Sequence, residues 1–337
     1  MNATVEGPLQ GSLAADRGRT GAQVLLDTLA ELGVDTVFGY PGGAVLPIYD
    51  ALHGETRIRH ILVRHEQAAV HAAQGYARST GRVGVVLVTS GPGMSNTTTG
   101  LLDALSDSVP VLCISGQVAL TAIGTDAFQE CDALGISRPV TKWNAQVRDA
   151  GLVRALVQQA FDVAARGRPG PVLLDFPKDL QQQVALQRPL PLPRAAHPAR
   201  APAQPARVAQ AAQWIAEARR PVFYGGGGLI NAGSAACQAF ADVVRLAQAP
   251  CTLTLMGLGA YPASDPQWLG MLGMHGTLEA NLAMHEADLI VCIGARFDDR
   301  VTGKLSEFAK HGRIVHVDID ASEINKNKKA FIAINSD

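Results

Sequence analysis

From Thr20 onward the apolar positions fall into two alternating patterns. Three- and four-residue spacing predicts helices over 67–78, 95–106 and 151–166, and a first helix that Thr20 caps, that runs to Glu31 and that Gly33 ends. Short apolar runs over 34–38, 61–63, 83–88, 109–114 and 172–176 predict buried strands between them. The alternation resumes later, with helices over 208–218, 232–247 and 277–285 and strands over 221–224, 251–255, 289–293 and 313–317. Strands that are apolar on both faces and separated by helices belong to parallel sheets covered on both sides. The expected fold is therefore α/β, with two tandem doubly wound parallel-sheet domains, the second of them Rossmann-like.

Between the two patterned blocks, from Leu186 to Arg207, lie six of the chain's 19 prolines, interleaved with Ala and Arg and without either periodicity. Such a stretch reads as an extended linker. The expected organisation is a disordered tail over 1–19, a first domain over 20–185, a linker over 186–206 and a second domain over 207–337. A chain of 337 residues is too long for one ordinary core, which agrees with two. No motif recurs at fixed spacing between the blocks, so they read as separate domains rather than a repeat. The tail carries Glu6 and Asp16 and lacks an apolar segment, so it matches neither a secretory signal nor a transit peptide.

Composition narrows the partners. Lys and Arg number 29 against 30 Asp and Glu, a net charge of -1 that gives no reason to expect nucleic acid or an anionic membrane surface. No apolar run approaches the ~18 to 20 residues that cross a bilayer. The five cysteines are odd in number and form no C-x-x-C pair, which argues against a disulfide framework or a zinc ribbon and favours a reducing, cytoplasmic compartment.

Candidate chemistry sits where strands are expected to end. Glu66, in Arg64-His65-Glu66-Gln67, follows the second strand and opens a helix, the place where open α/β sheets put ligands. It could equally serve only the helix dipole, worth roughly 0.3 to 1 kcal/mol. His65 and His71 do not make a zinc motif with it, because six residues apart they point to different sides of a helix. Thr89-Ser90-Gly91-Pro92-Gly93 and Gly39-Tyr40-Pro41-Gly42-Gly43 are glycine turns after strands, able to approach a diphosphate or to serve only as connections. In the second block, Gly225 to Gly228 after a strand could take a dinucleotide pyrophosphate, with Asp318 and Asp320 placed for ribose hydroxyls, or these could be plain turn chemistry. Arg296, Asp298, Asp299 and Arg300 could be a surface ion-pair network.

Taken in order, these segments resemble the acetolactate synthase large subunit, a thiamine-diphosphate enzyme family. To them are added Gly124-Thr125-Asp126-Ala127-Phe128-Gln129-Glu130, Gly167-Arg168-Pro169-Gly170-Pro171-Val172, Leu255-Met256-Gly257-Leu258-Gly259, Gly273-Met274-His275-Gly276 and Arg296-Phe297-Asp298-Asp299-Arg300-Val301-Thr302-Gly303-Lys304. The resemblance implies a thiamine-diphosphate pyrimidine-binding domain followed by a central FAD-binding domain. It makes Glu66 the cofactor-activating acid, with Gln129, Gln117 and Gly42 at the reaction centre. It assigns Ser108, Arg168, Gly227, Thr254, Leu255, Gly273 and Met274 to FAD, together with His275, Gly294, Arg296, Asp298, Asp318 and Ile319. Arg300 would meet the second 2-oxo acid, with Asp299, Phe128, Lys142 and Lys178 along the substrate channel.

The implied reaction decarboxylates pyruvate and joins the two-carbon unit to a second pyruvate or to 2-oxobutyrate, in valine, isoleucine and leucine biosynthesis. The implied cofactors are thiamine diphosphate, FAD and Mg2+. The implied assembly is a cytoplasmic bacterial homodimer or tetramer with the active site at the subunit interface and a regulatory small subunit as partner. The family's third domain holds magnesium and the diphosphate through a Gly-Asp-Gly segment, and no Gly-Asp-Gly occurs in this sequence. The second domain is accordingly expected to be incomplete, the metal ligands to be absent and this chain alone to be inactive. Two alternatives remain: another FAD-containing thiamine-diphosphate carboligase or oxidase, and a noncatalytic FAD-binding or dimerising module. Glu66 argues against glyoxylate carboligase, and Arg296 to Arg300 against the FAD-free catabolic synthase.

Overall fold

Thr20 opens the first helix, Gly21–Glu31, through a reciprocal pair of bonds: its Oγ1 accepts from Gln23 N at 3.3 Å and Gln23 Oε1 accepts from Thr20 N at 3.1 Å. Both satisfy donors that a helix start leaves unpaired. Gly33, at φ +83°, turns the chain out of the helix and into the sheet. The computed structural model describes residues 18–186 and 202–337, so 1–17 of the tail expected over 1–19 and 187–201 of the linker expected over 186–206 lie outside the described residues. The chain divides into two units, one within residues 1–197 and the other within 198–337.

The first unit carries strands β1 (Thr36–Tyr40), β2 (Arg59–Leu62), β3 (Gly84–Val88), β4 (Val111–Gln117), β5 (Trp143–Gln146) and β6 (Pro171–Pro177), all parallel in the order β2-β1-β3-β4-β6-β5. The two-residue period of a strand sends its side chains to two cores. Val85, Leu87, Leu112 and Ile114 meet helices Gly21–Glu31 and Val153–Ala165 on one face. Val86, Val88, Val111 and Cys113 meet helices Glu66–Thr80 and Thr98–Ser106 on the other. Each fully buried side chain of this size contributes roughly 1.5 to 3 kcal/mol, so both faces need the unbroken apolar runs.

Departures from expectation are local. The helix expected over 95–106 starts at Thr98, a separate short helix, Pro92–Ser95, precedes it, and Thr97 Oγ1 donates to Met94 O at 2.6 Å between the two. Helix Leu46–His53 and strand β5 had no clear sequence signal: the first buries only Ile48 and Leu52, and the second is an edge strand with all four residues half-buried. In the middle of helix Glu66–Thr80, Gly75 has open space within 4 Å of where a Cβ would stand. Gly75→Ala is expected to stabilise the protein by about 0.5 to 1 kcal/mol in urea unfolding, the helix-propensity difference. A loss of stability would mean that another chain packs on that face.

The second unit has strands β7 (Pro221–Gly225), β8 (Cys251–Leu253), β9 (Trp268–Met271), β10 (Leu289–Ile293), β11 (Arg313–Asp318) and β12 (Ile332–Asn335), parallel in the order β12-β11-β10-β7-β8-β9. Phe223, Leu289, Val291 and Val315 fill one face, and Val222, Tyr224, Ile290 and Cys292 fill the other. The helix expected over 232–247 starts at Ser234, after Gly233 at φ +96°, and a separate short helix that the apolar pattern did not reveal, Gly227–Ala232, precedes it. Strands β9 and β12 are edge strands that the apolar pattern did not reveal. No helix among the described residues is long and apolar enough to cross a membrane.

Candidate cofactor site

In the first sheet the strand order reverses between β1 and β3, and ligands of open α/β sheets bind outside the carboxyl ends of strands at such a point. Two glycine turns meet there. A Cβ on Gly42, after β1, would stand 2.6 Å from Thr89 Cβ, and one on Gly93, after β3, would stand 2.6 Å from Thr89 Cγ2. Thr89 Oγ1 accepts from Ala44 N at 3.3 Å, which ties the two turns together. Only bare backbone fits at both positions.

Glu66 is the first residue of its helix and lies against this cleft, 8% exposed. Its Oε2 accepts from Asn96 Nδ2 at 2.9 Å. Oε1 takes no donor among the described residues and lies 3.5 Å from where a Cβ on Gly93 would be. The result is a carboxylate with one oxygen anchored and the other turned toward a glycine-bared space.

The loop after β4 supplies Phe128 and Gln129. Glu130 folds it, accepting from Gly124 N and from Ala127 N, and these backbone donors hold its carboxyl below the usual range. Gln129 is left-handed, φ +61°, and a Cβ on Gly91 would stand 2.7 Å from its carbonyl oxygen, so the loop rests on the β3 turn. Phe128 is 88% exposed at the loop tip. Gln117, the last residue of β4, donates from Nε2 to Cys131 O at 2.9 Å and to Asp175 Oδ2 at 3.3 Å. Lys178 begins the short helix that follows β6, and its neighbour Asp179 accepts from Leu120 N at 3.1 Å.

Asp175 also accepts from Ser115 Oγ at 3.1 Å and Gln146 Nε2 at 2.8 Å. Burial pushes its carboxyl up to about 6, against the pull of these three donors.

Not every expected site residue gathers at this end. Ser108, Lys142 and Arg168 precede β4, β5 and β6, and so stand at the amino-terminal edge of the same sheet. Arg168 Nε donates to Ser108 Oγ at 2.7 Å. Lys142 Nζ caps the carboxyl end of helix Val153–Ala165, donating to Val163 O and to Arg166 O, the latter at 2.8 Å. Burial brings the Lys142 ammonium down to about 8. Strand β6, seven residues at ~3.3 Å each, separates the two ends by roughly 20 Å.

In the second sheet the order reverses between β7 and β10. There a Cβ on Gly226 would stand 2.1 Å from Gly294 O. Of the glycine run, Gly226 N donates to Ile293 O at 2.9 Å and Gly228 N to Gly294 O at 3.1 Å, so these two donors are committed to backbone. Thr254 N donates to Gly225 O at 2.9 Å, which sets Thr254 and Leu255 beside the run, and Met256 Cβ is 3.0 Å from where a Cβ on Gly227 would be. Gly294 N donates to Val317 O at 2.9 Å, beside Asp318 and Ile319 at the end of β11.

Arg296 pairs with Asp298 at 2.6 Å. Burial raises the Asp298 carboxyl, but Arg300 N, Arg296 and Asp299 outweigh it and the group titrates below its ordinary value. Met274 N donates to Arg300 O at 2.8 Å, and this brings the segment Gly273, Met274 and His275 beside the same cluster. The Arg300 side chain is exposed, 3.9 Å from Asp299. Among the described residues no group of three or more His, Cys, Asp or Glu could hold a metal ion.

Three residues of the first site escaped the sequence reading in these roles. Thr89 was singled out only as part of a turn, Asn96 not as a site residue, and Asp175 is an acid inside the otherwise apolar run expected over 172–176. That lone acid was the one usable signal.

Comparison with known proteins gives the lineage. A family model for the thiamine pyrophosphate enzyme N-terminal TPP binding domain matches residues 19–136, and one for the thiamine pyrophosphate enzyme central domain matches residues 208–337. The acetolactate synthase large subunit of Parasynechococcus marenigrum (strain WH8102) is 50% identical over 346 residues, covering 100% of this chain and 56% of that protein. The large subunit from Haemophilus influenzae is 49% identical over 94% of this chain and 55% of its own length, and the Escherichia coli isozyme 2 large subunit 49% over 94% and 57%. The chain spans about half the length of the curated relatives it matches. With its N-terminal and central domains matched in order, and with acetolactate synthase large subunits among its relatives, the chain belongs to the thiamine pyrophosphate enzyme family.

Proposed function

We propose that this chain is the thiamine-activating and central part of an acetolactate synthase catalytic subunit, which decarboxylates pyruvate and joins the two-carbon unit to a second pyruvate or to 2-oxobutyrate, in branched-chain amino-acid biosynthesis. The observation that carries the reading is Glu66: a buried carboxylate with Oε2 anchored by Asn96 and Oε1 aimed at glycine-bared space where the first sheet reverses. Thiamine diphosphate, when bound, supplies the carbon nucleophile and the electron sink for loss of carbon dioxide. Glu66 Oε1 holds and shares a proton with its aminopyrimidine ring, Gly42 and Gly93 leave room for that ring, and Gln129 and Gln117 line the reaction centre. Mutual confinement of these groups in a cleft with little water strengthens each hydrogen bond.

The crevice at the second sheet's reversal suits a dinucleotide such as FAD, with Gly227, Thr254, Leu255, Gly294, Arg296, Asp298, Asp318 and Ile319 around it and Gly273, Met274 and His275 beside Arg300. Arg300 would grip the carboxylate of the second 2-oxo acid through its planar fork. Ser108, Lys142 and Arg168 cannot reach the ligand of their own Glu66 across the sheet, which favours an active site completed by a second copy, as in a homodimer or tetramer. Magnesium and a regulatory small subunit complete the proposed holoenzyme, acting in the cytoplasm.

The holoenzyme containing this chain, given pyruvate with thiamine diphosphate, magnesium and FAD, is expected to form acetolactate in a colorimetric acetoin assay. Added 2-oxobutyrate should divert the product to 2-aceto-2-hydroxybutyrate. Cofactor-loaded holoenzyme that forms neither would overturn the proposal.

A further inference from the structure

The carboxyl ends of β4, β5 and β6 share a polar knot centred on Asp175, to which none of the roles above is given. Register sets Ser115 and Gln146 each beside Asp175 on neighbouring strands, and both donate to its carboxylate, which is 1% exposed. The third donor is Gln117 Nε2, whose amide also donates to Cys131 O, while Gln117 Oε1 accepts from Val118 N at 2.9 Å. The amide thus bridges the sheet's buried acid to the loop that carries Phe128 and Gln129. An acid buried in a parallel sheet is costly unless it is fully hydrogen-bonded, and here one of its bonds leads to the proposed reaction centre.

We propose that Asp175 is a positioning residue for the thiamine-dependent reaction: through Gln117 it fastens the loop over residues 124–131, and with it Gln129, to the carboxyl end of the first sheet. This role rests on the reaction proposed above. The ionised carboxylate accepts from all three donors. Protonation puts a hydrogen on one oxygen and weakens the hold on Gln117. Since burial sets that change near pH 6, the hold is present above it and lost as pH falls through it. The titratable groups that face Asp175 are Cys131 on the loop and Asp132 at the start of helix Ala133–Ser137, and the charge on Asp132 adds to the rise.

The test has two arms. In the first, the side-chain amide resonance of Gln117, assigned through Gln117→Met, is followed from pH 4.5 to 8 without any cofactor. It should shift with one midpoint near that of Asp175, and the shift should vanish in Asp175→Asn. In the second, Asp175→Asn holoenzyme should lose about tenfold or more in kcat, change KM for pyruvate less than about threefold and lose the acid limb of its pH–rate profile. Because the wild-type titration needs no variant, it decides the matter even if Asp175→Asn fails to fold. A Gln117 resonance indifferent to pH across this range, or an Asp175→Asn enzyme with wild-type kcat and acid limb, would overturn the role. A holoenzyme that makes no acetolactate would instead defeat the proposed reaction and leave the first arm standing.

Discussion

Glu66→Gln in the holoenzyme is expected to lower acetolactate formation by about 10² to 10⁴-fold, the range in which a positioned proton-transfer group contributes. The substitution keeps the shape of the side chain, and the amide oxygen can still accept from Asn96 Nδ2, so the anchored half of the group survives. What is lost is the free oxygen's ability to hold a proton in a cleft shaped by Gly42, Gly93 and Thr89. FAD content and the unfolding midpoint should stay at wild-type values, because no other hydrogen bond among the described residues depends on this carboxylate. The initial rate under saturating cofactor is the readout, and a variant within about threefold of wild type would remove Glu66 from the chemistry.

Gly226→Ala is expected to destabilise the second unit by about 3 to 5 kcal/mol. The backbone there, φ -120° and ψ -173°, is extended and open to any residue, so the obstacle is steric alone. A Cβ would stand 2.1 Å from Gly294 O and 2.6 Å from Ala295 Cβ, and both belong to the turn after the neighbouring strand β10. Parting the two turns breaks the bonds from Gly226 N to Ile293 O and from Gly228 N to Gly294 O, worth about 1 kcal/mol each. The forced shift of a packed sheet adds about 1 to 3 kcal/mol. Urea unfolding measures the loss, with Gly54→Ala, where nothing stands within 4 Å, as the control. A Gly226→Ala transition within about 0.5 kcal/mol of the control would show that the turns can separate freely.

What the sequence made legible follows the physics of burial. Central strands such as Gly84–Val88 and Leu289–Ile293 are covered on both faces and had to be apolar throughout, so they could be read directly. Edge strands Trp143–Gln146, Trp268–Met271 and Ile332–Asn335 are only four residues long and covered less: the first and last carry polar residues, Gly270 interrupts the second, and none left a long apolar run to find. The helices expected from 95 and 232 begin instead at Thr98 and Ser234, because apolar spacing continues through a kink that hydrogen bonding and φ decide.

The site shows the same division. Glu66 could be singled out because its position, strand end followed by helix start, is local. Asn96, which fixes its orientation, is 30 residues away in sequence, and Gln117 and Asp175 are 58 apart. Such pairings are made by strand order, which no local pattern encodes. The glycine run at Gly225 to Gly228 looked in sequence like a set of free donors, whereas in the fold two of them serve the turn itself.

Glu66 is expected to face thiamine diphosphate at the carboxyl end of the first sheet, and a crystal structure of the holoenzyme with that cofactor tests this most directly. The expected result is a ring nitrogen of the aminopyrimidine about 2.5 to 2.9 Å from Glu66 Oε1, the spacing of a charge-assisted hydrogen bond, with Asn96 still on Oε2. An aminopyrimidine bound away from Glu66, or a Glu66 carboxylate turned out of the cleft, would contradict it.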